Sequence, residues 1–373
     1  MTRRSLPLGI AVLVLIVAAC SDDSGSEESR GSAGDSTVSS ALGQLPGSAD
    51  VDSSLVYAAD LERAMEAGDI ERPDDTAADD VIPWTAALTG AGTAEEPARV
   101  FVPLPDLLRP DATDPAEMDE LAGWSVLDVD TFVAQTTPPE TMTVVSGDLD
   151  LSDDLPEVED GIVTDVEGED NEPDLESGGL NRLGIPTRMA EDGDWVAASS
   201  STDLIRDWVD EEESLADANG DYADLAEALD QEGVYSAVLS GVAGGLDPSV
   251  VLGGQFDPEE AEEQLREVQE SLPDDPFDAV GIGWADDGGE PLVVTAYHFG
   301  SADAAESATE PLRELYESGT SVRTRAPYSD YFEVQDVAAE GEVVVVTSHL
   351  PDDATIGTAY EMLLSRELIF TSP

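Results

Sequence analysis

Apolar residues begin to recur at regular spacing only after Val51. The stretch YAADLERAMEAG places Leu61, Ala64 and Met65 on one face, with Gly68 as a stop and Pro73 beyond it, which predicts a helix. RVFVPL from Arg99 predicts a short strand. In DPAEMDELAGW, Asp114 can cap, Pro115 opens the first turn, Glu117 completes a capping box and Gly123 ends the helix. TMTVVSGDLD from Thr141 predicts a strand. IPTRMAEDGDWVAASS predicts a β-hairpin turning at Asp192-Gly193, and STDLIRDWVDEEE predicts a helix presenting Leu204, Ile205, Trp208 and Val209.

The same grammar returns in the second half. A helix over DYADLAEALDQEG aligns Tyr222, Leu225 and Leu229, and the strand VYSAVLS follows it. DPEEAEEQLREVQESL has the clearest helical stripe, Ala261, Leu265, Val268 and Leu272, capped by Asp257, Pro258 and Glu260. A hairpin over AVGIGWADDGGEPLVVTAYHFG precedes a helix that Pro311 should divide or kink. Another hairpin, YFEVQDVAAEGEVVVVTSH, leads to a closing helix, IGTAYEMLLSREL. EDGDWVAASS from Glu191 lines up with AEGEVVVVTS from Ala339, and each precedes an amphipathic helix. These patterns predict an α+β fold with two tandem modules of antiparallel hairpins packed with helices, residues 48–215 and 216–373.

The periodicity fails in two places. Residues 148–179 are dense in acids with sparse aliphatics, and read as a partly ordered acidic insertion in the first module. Residues 20–47, rich in Ser, Gly and Asp, read as a flexible tether, because so few apolar groups cannot offset the entropy of ordering.

The N-terminus follows another pattern. Arg3 and Arg4 precede an apolar run from Leu6 to Val17, then Ala18, Ala19 and Cys20, the only cysteine. That run is short for a permanent bilayer span, which takes about 20 residues, and has the three parts of an export signal. VAAC, Val17 to Cys20, resembles the lipobox of bacterial lipoproteins at every position. The resemblance implies a signal peptide over residues 1–19, cleavage before Cys20, lipidation of its thiol, and an extracytoplasmic protein held to the cell membrane by acyl chains. An ordinary secretory peptide cut at an A-x-A-like site, or an uncleaved anchor, are the alternatives. A single cysteine leaves no partner for an intrachain disulfide.

Charge narrows the partners. The chain has 84 acidic residues against 15 basic ones, and all 15 are arginine. Without Arg3 and Arg4 the remaining chain has 84 acids and 13 arginines, a formal charge of −71. Such a surface repels nucleic acid, whose binding draws on cations that displace phosphate counterions. It also repels anionic head groups, leaving the lipid to hold the protein at the membrane. A hydrophobic content of 41% with five tryptophans predicts folding despite the charge. The composition resembles that of salt-loving, GC-rich bacteria, and the body resembles secreted actinobacterial proteins of unknown function in overall pattern only.

Candidate chemistry is thin. The two histidines, His298 and His349, end strands in the second module; together with acids such as Asp303 and Asp352 they could supply a base or a metal site. Asp217, Asn219 and Asp221 alternate as in a calcium loop, but Tyr222 replaces the turn glycine and Ala228 the bidentate glutamate. GVAGGLDPSVVLGG does not match the dinucleotide fingerprint, and HExxH, GxSxG, Walker and CxxC motifs are absent. The tryptophans, Trp84, Trp124, Trp195, Trp208 and Trp284, lie in or beside apolar segments and read as core. The expectation is a membrane-anchored, non-catalytic module for an extracytoplasmic ligand or protein, with no cofactor. The alternative is an extracytoplasmic hydrolase or metal-dependent enzyme using His298 and His349.

Overall fold

The structure is a computed structural model. It describes residues 36–372, except 50, 52–53, 93–96, 139, 177, 182, 242–271, 322 and 352–353. The predicted export signal, Cys20, most of the predicted tether, nearly all of the helix predicted from Asp257, and Asp352 lie outside the described residues.

The chain is α+β, and its described residues build a twelve-stranded antiparallel sheet. In the first half the strands are β1 (Leu55–Asp60), β2 (Val129–Thr137), β3 (Glu140–Gly147), β4 (Glu157–Glu159), β5 (Ile162–Thr164), β6 (Arg188–Asp192) and β7 (Trp195–Ser199). The second half contributes β8 (Ser236–Gly241), β9 (Phe277–Asp287), β10 (Glu290–Phe299), β11 (Glu333–Glu340) and β12 (Val343–His349). Their order across the sheet is β11-β12-β10-β9-β8-β1-β2-β3-β7-β6-β5-β4. Counted outward from the centre, β8-β9-β10-β12-β11 repeats the order β1-β2-β3-β7-β6. The halves meet where β1 pairs antiparallel with β8, from Leu55↔Ser240 to Ala59↔Ser236. The aligned segments EDGDWVAASS and AEGEVVVVTS therefore occupy corresponding hairpins, β6–β7 and β11–β12.

Turn chemistry fixes these hairpins. Gly288 and Gly289 close β9–β10 with φ of 63° and 102°, the positive values that a two-residue turn matching the strand twist requires. Gly193 and Gly341 take the corresponding first position in β6–β7 and β11–β12, with φ of 64° and 61°.

Helices cover both faces. On one lie α2 (Leu61–Gly68), α3 (Ala78–Leu88), α4 (Pro115–Ala122), α8 (Ala302–Ser318) and α9 (Thr358–Leu364), packed on a core with Trp84, Trp124 and Trp284. On the other lie α1 (Thr37–Leu42), α5 (Thr202–Asp210), α6 (Leu215–Ala218) and α7 (Gly220–Gln231), around Trp208. At α4 the cap and the stop hold: the Asp114 carboxylate accepts from the Ala116 and Glu117 amides, Pro115 opens the first turn, and Gly123 ends the helix at φ 86°. Pro311 does not divide α8, which is assigned as one helix through it.

Three expectations are corrected. The tether does not extend to Gly47. Val38, Leu42 and Leu45 are buried, and the Asp230 carboxylate accepts from the Val38 and Ser39 amides at 2.8 and 2.9 Å, holding the start of α1. RVFVPL is not a strand: Pro103 lacks the amide a ladder needs, and the Val102 amide donates instead to Leu88 O, at the end of α3, at 2.8 Å. The helix read from Tyr57 begins at Leu61, because residues 55–60 form a strand at the centre of the sheet.

The acidic stretch 148–179 is stitched to the sheet. Asp165 accepts from the amides of Val166, Leu180 and Thr187. Burial pushes its carboxyl above the ordinary value, against those three donors. Arg188, 3% exposed, donates to Asp170, Thr164 Oγ1 and Gly168 O. Asp165 and Asp170 thus serve as internal acceptors, while most other acids of the stretch are exposed.

Candidate functional site

An apolar cleft of about 610 Å³ opens on the α3 face of the sheet. Its walls come from three distant pieces of chain: Ile82 and Ala86 of α3, the segment Phe101–Leu104, and Tyr360 of α9. The volume lies within the range of about 300–1,000 Å³ common for small-molecule sites.

Phe101 forms its floor. The ring packs on Trp284 with centroids 4.7 Å apart and on Tyr360 at 5.6 Å. Two glycines make room for it: a β-carbon at Gly357 would stand 2.9 Å from Phe101 Cε2, and one at Gly90 would stand 3.0 Å from Cδ2. The Phe101 backbone is pinned from below. Ser236 Oγ donates to its carbonyl at 2.6 Å, and its amide donates to the Tyr235 hydroxyl at 3.4 Å. Trp284 is fixed in turn, its indole N–H donating to Ile356 O at 2.9 Å. The floor is thus held by the central strands rather than by the loop that carries it.

Polar groups sit at the margin. Thr85 and Thr89 turn their hydroxyls onto carbonyls of their own helix. Arg109 makes a two-pronged pair with Asp111, Nε to Oδ1 at 3.0 Å and Nη2 to Oδ2 at 2.6 Å, with Asp106 alongside at 3.3 Å. The Asp111 hydrogen bonds raise the guanidinium pKa further above its ordinary value. The Tyr57 and Tyr360 hydroxyls approach to 3.4 Å. Burial, followed by that contact, pushes the Tyr57 phenol far above its ordinary value and keeps it neutral. The cleft therefore presents an apolar floor and a neutralised ion pair at its lip.

None of the five tryptophans lines this cleft. Trp84, Trp124, Trp208 and Trp284 are buried, and Trp195 is half-buried. Asp217, Asn219 and Asp221 do not form a calcium loop. Asn219 caps α7 by accepting from the Tyr222 amide at 3.1 Å, and Asp217 pairs with the Ser214 hydroxyl at 2.8 Å.

The two histidines are not brought together. His349 pairs with Leu292 and His298 with Val343, six residues apart on β10, roughly 20 Å at the rise of a strand. His349 lies 3.2 Å from Asp287 and 3.6 Å from Glu290 at one end of the sheet; His298 lies at the other end beneath α7. The β10–β12 register thus rules out the alternative in which His298 and His349 share one site. Sequence reasoning missed the cleft, because its walls lie more than 250 residues apart in the chain and share no pattern.

No family model matches the sequence, and no curated protein matches it. Two crystal forms of TP0453 are similar in structure. Form I has a TM-score of 0.35 and 10% identity, covering 89% of this chain and 98% of that one. Form III has a TM-score of 0.34 and 9% identity, covering 87% and 97%. A likeness at this level carries no argument about function.

Proposed function

We propose that this is an extracytoplasmic, lipid-anchored binding protein that takes an apolar or amphiphilic small molecule into the cleft over Phe101. The observation that carries the reading is the cleft itself: a concave apolar surface, held on a rigid floor, in a chain whose charge is overwhelmingly acidic. A ligand gains by burying hydrocarbon or an aromatic ring against Phe101, Ile82 and Tyr360. A polar end can lie at Arg109, where Asp111 already satisfies the cation, so a strongly anionic ligand must compete with that carboxylate. The residues lining the cleft are suited to holding rather than reacting. The VAAC motif supports the anchor, and among the described residues no helix is long and apolar enough to cross a membrane.

Two measurements test this reading. N-phenyl-1-naphthylamine, a neutral aromatic probe, should bind saturably with a rise in emission, and Ala86→Trp should fill the cleft and weaken it by about tenfold or more, some 1.4 kcal/mol. Undiminished binding to Ala86→Trp would refute the cleft as the site. Mass spectrometry of the N-terminus in the native host should show an acylated Cys20 that Cys20→Ser abolishes. An unmodified terminus at another residue would remove the anchor from the proposal.

A further inference from the structure

On the opposite face of the sheet from the cleft, His298 is 3% exposed, and its Nδ1 has no hydrogen-bond partner among the described residues. A buried polar nitrogen left unpaired is costly, and the neighbours here are all carboxylates. Asp221 Oδ1 lies 3.7 Å from Nδ1; on the other side of the ring, Asp224 Oδ2 and Glu342 Oε2 lie 3.6 and 3.7 Å from Nε2. Asp278 joins Asp221 and His298 in a set whose ligand atoms all lie within 4.8 Å of one another.

Separate elements deliver these groups. His298 is the penultimate residue of β10, and Asp278 is the second residue of β9 beside it. Asp221 and Asp224, three apart on α7, share the helix face above the ring. Glu342 sits in the β11–β12 turn, where its carbonyl accepts from the Phe299 amide at 2.8 Å. Four carboxylates around one imbedded imidazole repel one another unless a cation lies among them.

The Asp221 Oδ1–Nδ1 separation of 3.7 Å exceeds hydrogen-bond length and is near the spacing of two ligands of one ion, since ligand atoms about 2.0–2.1 Å from a tetrahedral zinc stand about 3.3–3.4 Å apart. We infer that His298 Nδ1, Asp221 and Asp278 bind a divalent transition-metal ion of the zinc type, with the Asp224 and Glu342 carboxylates, 3.6 and 3.7 Å from Nε2, favouring the tautomer that keeps the proton on that nitrogen. A nitrogen ligand selects against calcium and magnesium, which take oxygen donors. A carboxylate on the far nitrogen is the arrangement that fixes the tautomer of a metal-bound histidine. Three protein ligands leave a coordination position for water or another small ligand.

Zinc titration of the purified, EDTA-stripped full-length protein by calorimetry tests the site, with excess magnesium present to occupy scattered carboxylates. One saturable equivalent is expected in the wild type. His298→Gln should abolish it. Asp221→Asn and Asp278→Asn, at exposed positions that leave the core intact, should each weaken it by at least tenfold. Asp224→Asn and Glu342→Gln should cost roughly 10–100-fold, as for partners that orient a ligand. Glu290→Gln, beside His349, should change nothing. No saturable equivalent, or unaltered binding in Asp221→Asn and Asp278→Asn, would overturn the site even if His298→Gln failed to fold. Loss confined to Asp224→Asn and Glu342→Gln would overturn the assignment to Nδ1.

Discussion

Substituting Gly357 by alanine isolates the packing of the cleft floor. Gly357 has φ −80° and ψ −1°, values an alanine adopts without strain. Less backbone freedom in the unfolded chain alone would stabilise the protein by about 0.4–1 kcal/mol. Against this, the new methyl would lie 2.9 Å from Phe101 Cε2 and 3.2 Å from Cδ2, where carbon atoms prefer about 3.5–4.0 Å. The ring cannot simply slide away, since Trp284 packs on it and Ser236 and Tyr235 hold its backbone. Overpacking of this kind costs about 1–3 kcal/mol. The net expectation is a destabilisation of about 1 kcal/mol, read as a fall in the urea midpoint at unchanged slope. In a Phe101→Leu background the clashing ring atoms are gone, and the same glycine substitution should become neutral or stabilising. The double-mutant cycle should therefore return a coupling of about 1–2 kcal/mol. Equal stabilisation by Gly357→Ala in both backgrounds would show that the ring is not wedged against this turn.

Three further outcomes are expected. Arg188→Ala should destabilise the protein by about 3 kcal/mol, the lower end for a broken buried pair because Asp170 keeps part of its surface in water; urea unfolding measures it. For Asp170, burial opposes ionisation, but the Thr202 amide and hydroxyl and then Arg188 outweigh it and lower the carboxyl pKa. Its contribution is thus present above the ordinary aspartate value of about 3.9 and lost as pH falls through the lowered one, so Asp170→Asn should flatten the acid limb of stability against pH. A chain beginning at Ser48 loses the buried Val38, Leu42 and Leu45, each with about 1.5–3 kcal/mol of burial, and should melt well below one beginning at Ser21; equal melting temperatures would contradict the packing of α1.

The elements that could be read from the sequence were those with local punctuation. Asp-Gly, Gly-Gly and Glu-Gly turns marked three hairpins, β6–β7, β9–β10 and β11–β12, and Asp114, Pro115 and Gly123 marked α4, because caps and turns depend on neighbouring residues. β1 was hidden because both of its faces are covered: Val56 and Ala58 meet one core and Ala59 the other, so it lacks the alternation of a half-exposed strand. Asp60 held the clue, since its carboxylate caps α2 by accepting from the Arg63 amide at 2.9 Å. α3 was obscured by Pro83 in its interior. His298 stood out as one of two histidines, but its carboxylate neighbours depend on the placement of α7 and on strand register, which are tertiary facts.

The seam between β1 and β8 bears on how the chain is made. Leu55 finds its partner Ser240 only after 185 further residues have been joined, so during synthesis the first half presents β1 with one row of amides and carbonyls bare. A polypeptide released near residue 215 would keep that edge, flanked by apolar residues on both faces, and an open edge of this kind recruits another strand. The two halves, alike in strand order, are therefore not interchangeable with two free-standing proteins: each is the other's edge protection. Completion of the whole chain before folding lets that late pairing occur within one molecule rather than between neighbours.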